Sequence, residues 1–306
     1  MSDQSNSPAV DVVICTHQRP ELLRKAVKSV LEQDYAGEIT VHVVFDRSNP
    51  EWSLASDTPK RKVTVLENTR SAGLAGARNS GVQNGSAPLV AFCDDDDSWE
   101  PSKLTKQVAE LQRTGALTCV TGIRIQFEDR SSVRLATAEE MRLESLVRKR
   151  VMPGHPSSVL VRRDALVTAI GLVDEHIPGS YAEDYDWILR AALAGEICVV
   201  EEPLVRVMWG QSLFSGRWAT IIEALDYLVE KYPQFRADRR ALARIRGQQA
   251  FGRAALGQRR AALGTIWETV RLHPAERRAY VALPVALGLL PPERVMSALH
   301  RRGHGI

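Results

Sequence analysis

The chain has 306 residues, 44% of them apolar and 25% charged, and a formal net charge of +3. This balance excludes a chain too polar to bury a core, and the length suffices for one large domain with an appendage. It also argues against a membrane span, because the longest near-apolar run, Ala279 to Leu290, is about half the required length and contains Pro284.

In chain order, the opening "MSDQSNSPAV" lacks the basic start and apolar core of a secretory signal. Residues 1–8 are therefore expected to be flexible, and the protein to stay in the cytoplasm. A β-branched strand (Val10 to Thr16), an amphipathic helix opened by Pro20 (to Gln33) and an alternating strand (Glu38 to Asp46) follow. The strand "KVTVLEN", the glycine-interrupted helix "GLAGARNSGVQNG" and the strand "PLVAFCD" complete a βαβαβα order. That order predicts an α/β fold, a mostly parallel sheet with helices on both faces and ligands beyond the carboxyl ends of the strands. Thr16, Asp46 and Asp94 each stand at such an end.

Further on, "ALTCVTGIRIQF" predicts a strand or a pair, "SSVLVRRDAL" a strand entering a short helix, and "YAEDYDWILRAALAG" a helix closed by Gly195. "EICVVEEPLVRVMW" predicts two short strands around Pro203. From about Arg217 the pattern is helical, and the near-repeat "FGRAALGQRRAALG" suggests two packed helices. From Gln234 onward fourteen arginines face four acidic residues, giving that segment +10 and the remainder −7. A basic helical region of this kind suits peripheral membrane contact or self-association. Nucleic acid is not an expected partner, since no aromatic interleaving or known module accompanies the arginines. The scattered Cys15, Cys93, Cys119 and Cys198 read as buried reduced thiols.

The stretch "FCDDDDSW" sets four aspartates after a buried-looking strand. A hard cation such as Mn²⁺ or Mg²⁺ removes the repulsion among them. Strand alternation would bring Asp94 and Asp96 to one side and send Asp95 and Asp97 elsewhere.

The blocks "VVICTHQRPELLRKAVKSVLEQDY", "VVFDRS", "AGLAGARNSGV", "VAFCDDDDSWEPSKL", "SSVLVRRDAL" with "GLVDE", and "EDYDWILRAALAG" resemble, in order and spacing, family 2 inverting glycosyltransferases of the GT-A fold. The resemblance covers roughly residues 9 to 210 and implies a Rossmann-like GT-A domain over residues 9–216. Its nucleotide-sugar half would be about 9–115 and its acceptor half about 116–216, with the arginine-rich helical region at 217–306. It implies a hexosyl- or N-acetylhexosaminyltransferase that uses a nucleotide sugar, a UDP-sugar first, although a carboxylate at Asp46 also suits guanine.

By position, the resemblance gives Thr16 and Asp46 nucleobase contact, with Arg19 in the same nucleotide-binding set. Arg78 and Asn79 fall near the diphosphate, where helix packing is an equal alternative. Asp94, Asp95 and Asp96 match the D-x-D motif, with Asp96 and Asp94 on the metal and Asp94 or Asp95 toward ribose or metal-bound water. Trp99 fits the core better than the sugar pocket. Asp184 matches the general base beside Glu183, and helical geometry turns Asp186 about 160° away.

Two positions depart from the family pattern. Phe45 replaces the first of two aspartates, and Met208, Trp209 and Gly210 stand where many relatives place a histidine. His155, between Gly154 and Pro156, is assigned to acceptor contact or loop packing ahead of metal ligation. Two other classes fit the sequence less well. A sugar-1-phosphate nucleotidyltransferase would show a glycine-rich first loop, which "CTHQRPE" lacks. A non-catalytic nucleotide-sugar scaffold would have lost one of Asp46, Asp96 or Asp184. The acceptor is expected to depend on residues 129–155 and 209–217.

Overall fold

The computed structural model describes residues 7–127, 130–208 and 216–300. It divides into two compact units, the first comprising Met1–Leu146, Arg150–Glu175 and Glu183–Gly210, the second Val147–Lys149, His176–Ala182 and Gln211–Ile306. Residues 209–215, where the family histidine and part of the acceptor loop are expected, lie outside the described residues.

The first unit begins with β1 (Val10–Thr16), α1 (Pro20–Leu31), β2 (Ile39–Phe45), β3 (Ser56–Thr58), β4 (Arg61–Glu67), α2 (Leu74–Asn84), β5 (Leu89–Asp94) and β6 (Ser98–Trp99). It continues with α3 (Lys103–Thr114), β7 (Thr118–Phe127), β8 (Arg130–Arg134), α4 (Leu143–Arg148), β9 (Leu160–Arg162), α5 (Arg163–Val167), α6 (Glu183–Ala194) and β10 (Ile197–Met208). The strands form one mixed sheet, ordered β3-β4-β2-β1-β5-β9-β7-β10-β6 with β8 on β7. Its longest ladders, β4-β2-β1-β5 and β7-β10, are parallel.

Residue pattern explains the packing. Leu23, Ala26, Val27 and Val30 recur at helical spacing and bury α1 against the sheet core. In α2, a Cβ on Gly81 would meet Val13 Cγ1 at 2.4 Å, so glycine lets the helix backbone lie directly on β1. Trp99 is buried beneath the Lys103 ammonium, which sits 3.8 Å from the ring centroid, and so belongs to the core.

The two strands expected around Pro203 are a single one. β10 stays paired with β7 on both sides of the proline, its register slipping between Val200 and Pro203 and again between Pro203 and Val205. A bulge absorbs the missing N–H without ending the strand.

The second unit contains α7 (Trp218–Lys231), α8 (Pro233–Ala237), α9 (Arg239–Ala255), α10 (Arg259–Leu272), α11 (Arg277–Ala286) and α12 (Pro292–His300). Its core joins Ala250, Phe251 and Ala254 of α9 to Ala262 and Ile266 of α10 and to Ala279, Ala282 and Val285 of α11. The near-repeat is this α9–α10 pair. No described helix is long and apolar enough to cross a membrane.

Candidate active site

Parallel register brings the strand-end residues to one rim. Thr16 pairs with Phe45 across β1 and β2, and Cys15 pairs with Asp94 across β1 and β5. Asp46, one residue past β2, donates its amide to the Thr16 carbonyl at 3.0 Å. Its buried carboxylate accepts from Asn68 Nδ2 at 2.8 Å and from the Gly73 amide and Arg47 Nε, each at 3.1 Å. Burial works against that charge, but these donors prevail and hold the carboxyl below its usual range. Gly73, at φ +115°, adopts a backbone conformation open to glycine that presents its N–H to Asp46 as α2 begins. Beside this group opens a cleft of about 400 Å³ lined by Thr16, Gln18, Arg19, Phe45, Arg47 and Ser48, among others. Phe45 thus supplies an apolar wall where the resembling family commonly has an acid.

The aspartates do not follow strand alternation. β5 ends at Asp94 and the chain turns at once, the Asp97 amide donating to the Asp94 carbonyl at 3.1 Å. Asp95 accepts from the Thr16 hydroxyl at 2.8 Å and from Arg19 at 3.2 Å, and Asp96 accepts from the same Arg19 nitrogen at 2.8 Å. Asp97, not Asp96, turns inward beside Asp94.

A loop 60 residues away fixes that arrangement: the Ser157 hydroxyl accepts from the Asp94 amide at 2.9 Å and donates to Asp97 Oδ2 at 2.5 Å. His155 joins them, with Nε2 3.8 Å from Asp94 and Nδ1 3.5 Å from Asp97. One ligand atom from each of Asp94, Asp97 and His155 falls within 4.8 Å of the others. His155, expected at the acceptor or in loop packing ahead of metal ligation, thus lies among the acids. Burial pushes the Asp97 carboxyl well up, with Asp94 adding to the rise, and pushes the His155 imidazolium down. A neutral imidazole and two crowded carboxylates suit a small divalent cation, which would relieve their repulsion.

The first turn of α6 meets the same place. Arg78, buried on α2, donates to Asp94 Oδ1 at 2.7 Å through one nitrogen and to Glu183 through another. Burial lifts Glu183 to about 7 against the pull of Arg78. Asp184 keeps a partly exposed carboxylate, which accepts from Arg150 at 2.5 Å. Desolvation opposes its charge, but the Arg150 guanidinium outweighs that and leaves the carboxyl below its usual range. Asp186 is fully buried and paired with Arg190 at 2.9 Å, facing away from this group as helical geometry predicts.

Asn79 serves the fold around the site. Its amide exchanges hydrogen bonds with the Val173 backbone and donates to Glu175 at 2.6 Å. The sequence alone does not single out Asp97, Arg150, Glu183 or Glu175 as site residues. Asp97 and Glu183 adjoin the D-x-D motif and Asp184, and Glu175 closes the "GLVDE" block, whereas Arg150 has no such marker.

Residues 11–167, just over half the chain, match the model of Glycosyl transferase family 2. YwdF of Bacillus subtilis (strain 168), an uncharacterized glycosyltransferase, is 25% identical over 193 residues, covering 60% of this chain and 68% of that protein. The Escherichia coli UDP-Glc:alpha-D-GlcNAc-diphosphoundecaprenol beta-1,3-glucosyltransferase WfaP is 26% identical over 100 residues, 32% of this chain and 39% of its own. Matches thus span between 39% and 68% of these relatives' lengths.

Among solved structures, S. aureus TarS 1-349 in complex with UDP-GlcNAc superposes with a TM-score of 0.62 at 17% identity, covering 97% of this chain and 92% of that one. Mannosyltransferase PcManGT from Pyrobaculum calidifontis, in complex with GDP-Man and Mn2+, gives 0.60 at 16%, covering 97% and 85%. At such identities the structures establish the GT-A fold. The family match over the sheet and the acid-bearing turn, set on that fold, places this chain in glycosyl transferase family 2.

Proposed function

We propose that the chain is an inverting glycosyltransferase that takes a hexosyl or N-acetylhexosaminyl group from a nucleotide sugar, a UDP-sugar first, to an acceptor hydroxyl. Residues 9–216 form its catalytic domain in this reading, and 217–306 an arginine-rich helical region. The observation that carries it is Arg78, whose guanidinium ties Asp94 at the end of β5 to Glu183, the neighbour of Asp184. One cation thereby ties the acids suited to a diphosphate–metal group to the first turn of α6, which carries the acid suited to an acceptor. The UDP-GlcNAc held by TarS and the GDP-Man with Mn2+ held by PcManGT support a nucleotide-sugar donor and a divalent ion.

Thr16 lines the cleft in which a nucleobase would sit, Asp46 stands between its lining residues Phe45 and Arg47, and Arg19 stands where a diphosphate can draw it from Asp95 and Asp96. Asp94, Asp97 and His155 would hold Mn²⁺ or Mg²⁺, with Asp96 next in the same turn. When bound there, such a cation would supply positive charge to offset that of the departing nucleoside diphosphate. Asp184, kept ionised by Arg150, accepts the acceptor proton as the hydroxyl attacks the anomeric carbon opposite the leaving group. Glu183 and Arg78 brace that helix end and do not meet the acceptor.

Hydrolysis measured across a panel of UDP-, GDP-, ADP- and dTDP-sugars, with and without Mn²⁺, tests the reading. It predicts turnover of a UDP-sugar that requires the metal. Metal-independent turnover, or none with any donor, contradicts it.

A further inference from the structure

One end of the helical unit carries an apolar cluster that neither its own core nor the proposed reaction uses. α9 runs out through Leu256 into the turn before α10, and α11 runs out through Leu287 into the turn before α12. The two turns abut, since a Cβ on Gly288 would lie 2.8 Å from a guanidinium nitrogen of Arg259. On them Leu256, Leu287, Leu289 and Leu290 are 40%, 50%, 71% and 44% exposed. Arg259 and Arg260 are exposed among them. Single exposed leucines are ordinary, but four on adjoining turns form a patch that water does not favour.

Leu263 and Trp267 stand three and seven positions after Arg260, on the same face of α10, and are 39% and 65% exposed. They extend the strip along the helix. Arginine dominates the flanking sequence: no acidic residue occurs from Arg239 to Trp267 or from Arg277 to Pro292, and single acids, Glu268 and Glu293, follow directly after those stretches.

We propose that this end of the helical unit docks on an anionic lipid bilayer. The leucines of the two turns enter the boundary between headgroups and acyl chains, and Arg259 and Arg260 meet lipid phosphates. A bilayer offers apolar depth and negative charge together. A second copy of the chain would bring the same arginines to a self-complementary contact and oppose like with like. The inference rests on the second unit alone and stands whatever donor or acceptor the first one takes.

Co-sedimentation of the full chain with vesicles of phosphatidylcholine, and of phosphatidylcholine mixed equally with phosphatidylglycerol, tests it. The expected result is binding to the mixed vesicles that salt weakens. Leu289→Ser with Leu290→Ser should cut that binding about tenfold or more, and so should Arg259→Gln with Arg260→Gln. Circular dichroism melts confirm that each variant is folded. The single change Leu289→Ser, at the most exposed of these leucines, serves if a double variant is not. Wild-type protein that stays in the supernatant with both vesicles overturns the proposal, as does binding that the leucine changes leave intact. Sedimentation velocity showing a dimer that the leucine changes dissolve, without vesicle binding, gives the patch to a second copy and overturns it equally.

Discussion

Glu175 carries a charge that the loop before α2 depends on. Its carboxylate accepts from Arg70 Nε at 2.5 Å, from the Ser71 hydroxyl at 2.6 Å and amide at 3.3 Å, and from Asn79 at 2.6 Å. The Ser71 carbonyl in turn accepts from Asn68, which also donates to Asp46. Partial burial opposes the charge of Glu175, yet Asn79, Ser71 and Arg70 push its carboxyl down to about 2 from an ordinary 4.5. A depressed carboxyl adds stability above its unfolded pKa that disappears as pH falls through the folded one. The melting temperature of Glu175→Gln should therefore lie below wild type by a constant amount near neutral pH, and the gap should close between about pH 4.5 and pH 2. A gap that ignores pH contradicts the charge's role. At the metal group, His155→Ala should weaken Mn²⁺-dependent UDP binding about tenfold or more in calorimetry while leaving metal-free UDP binding alone. An unchanged affinity in the folded variant would remove His155 from the ligand set.

Elements place these residues, and they differ in how plainly the sequence announces them. Thr16, Asp46 and Asp94 reach one rim because β-branched strands alternate with helices, a pattern that local periodicity records. The inward turn of Asp97 toward His155 is not local. It follows from β5 ending at Asp94 and from a serine in a loop 60 residues on, so alternation carried past the strand end assigned the wrong pair of aspartates to one side. Pro203 misleads in a similar way, because a proline that commonly breaks a strand is here absorbed by a bulge against β7. The contact between α2 and β1 is a test at this scale. Gly81→Val places branched carbons where even a Cβ would meet Val13 at 2.4 Å. Overpacking of this kind costs about 1–3 kcal/mol, readable as a lowered denaturant midpoint. A variant as stable as wild type would show that α2 can lift from the sheet without penalty.

For the whole molecule, the proposed reaction divides labour within the first unit: the β5 turn binds the donor's charge, and α6 takes the acceptor's proton. Asp186 is a poor control for it, because the carboxylate is fully buried against Arg190 and its loss would register as instability. Asp184 is the decisive position, being partly exposed and close in size to asparagine. Asp184→Asn, assayed by calorimetric titration of UDP with Mn²⁺ and by transfer to an accepted sugar acceptor, separates the two roles. Nearly unchanged UDP affinity together with transfer reduced about 100-fold or more is expected. Transfer at a near-normal rate, or a loss of UDP binding that matches the loss of transfer, would contradict it.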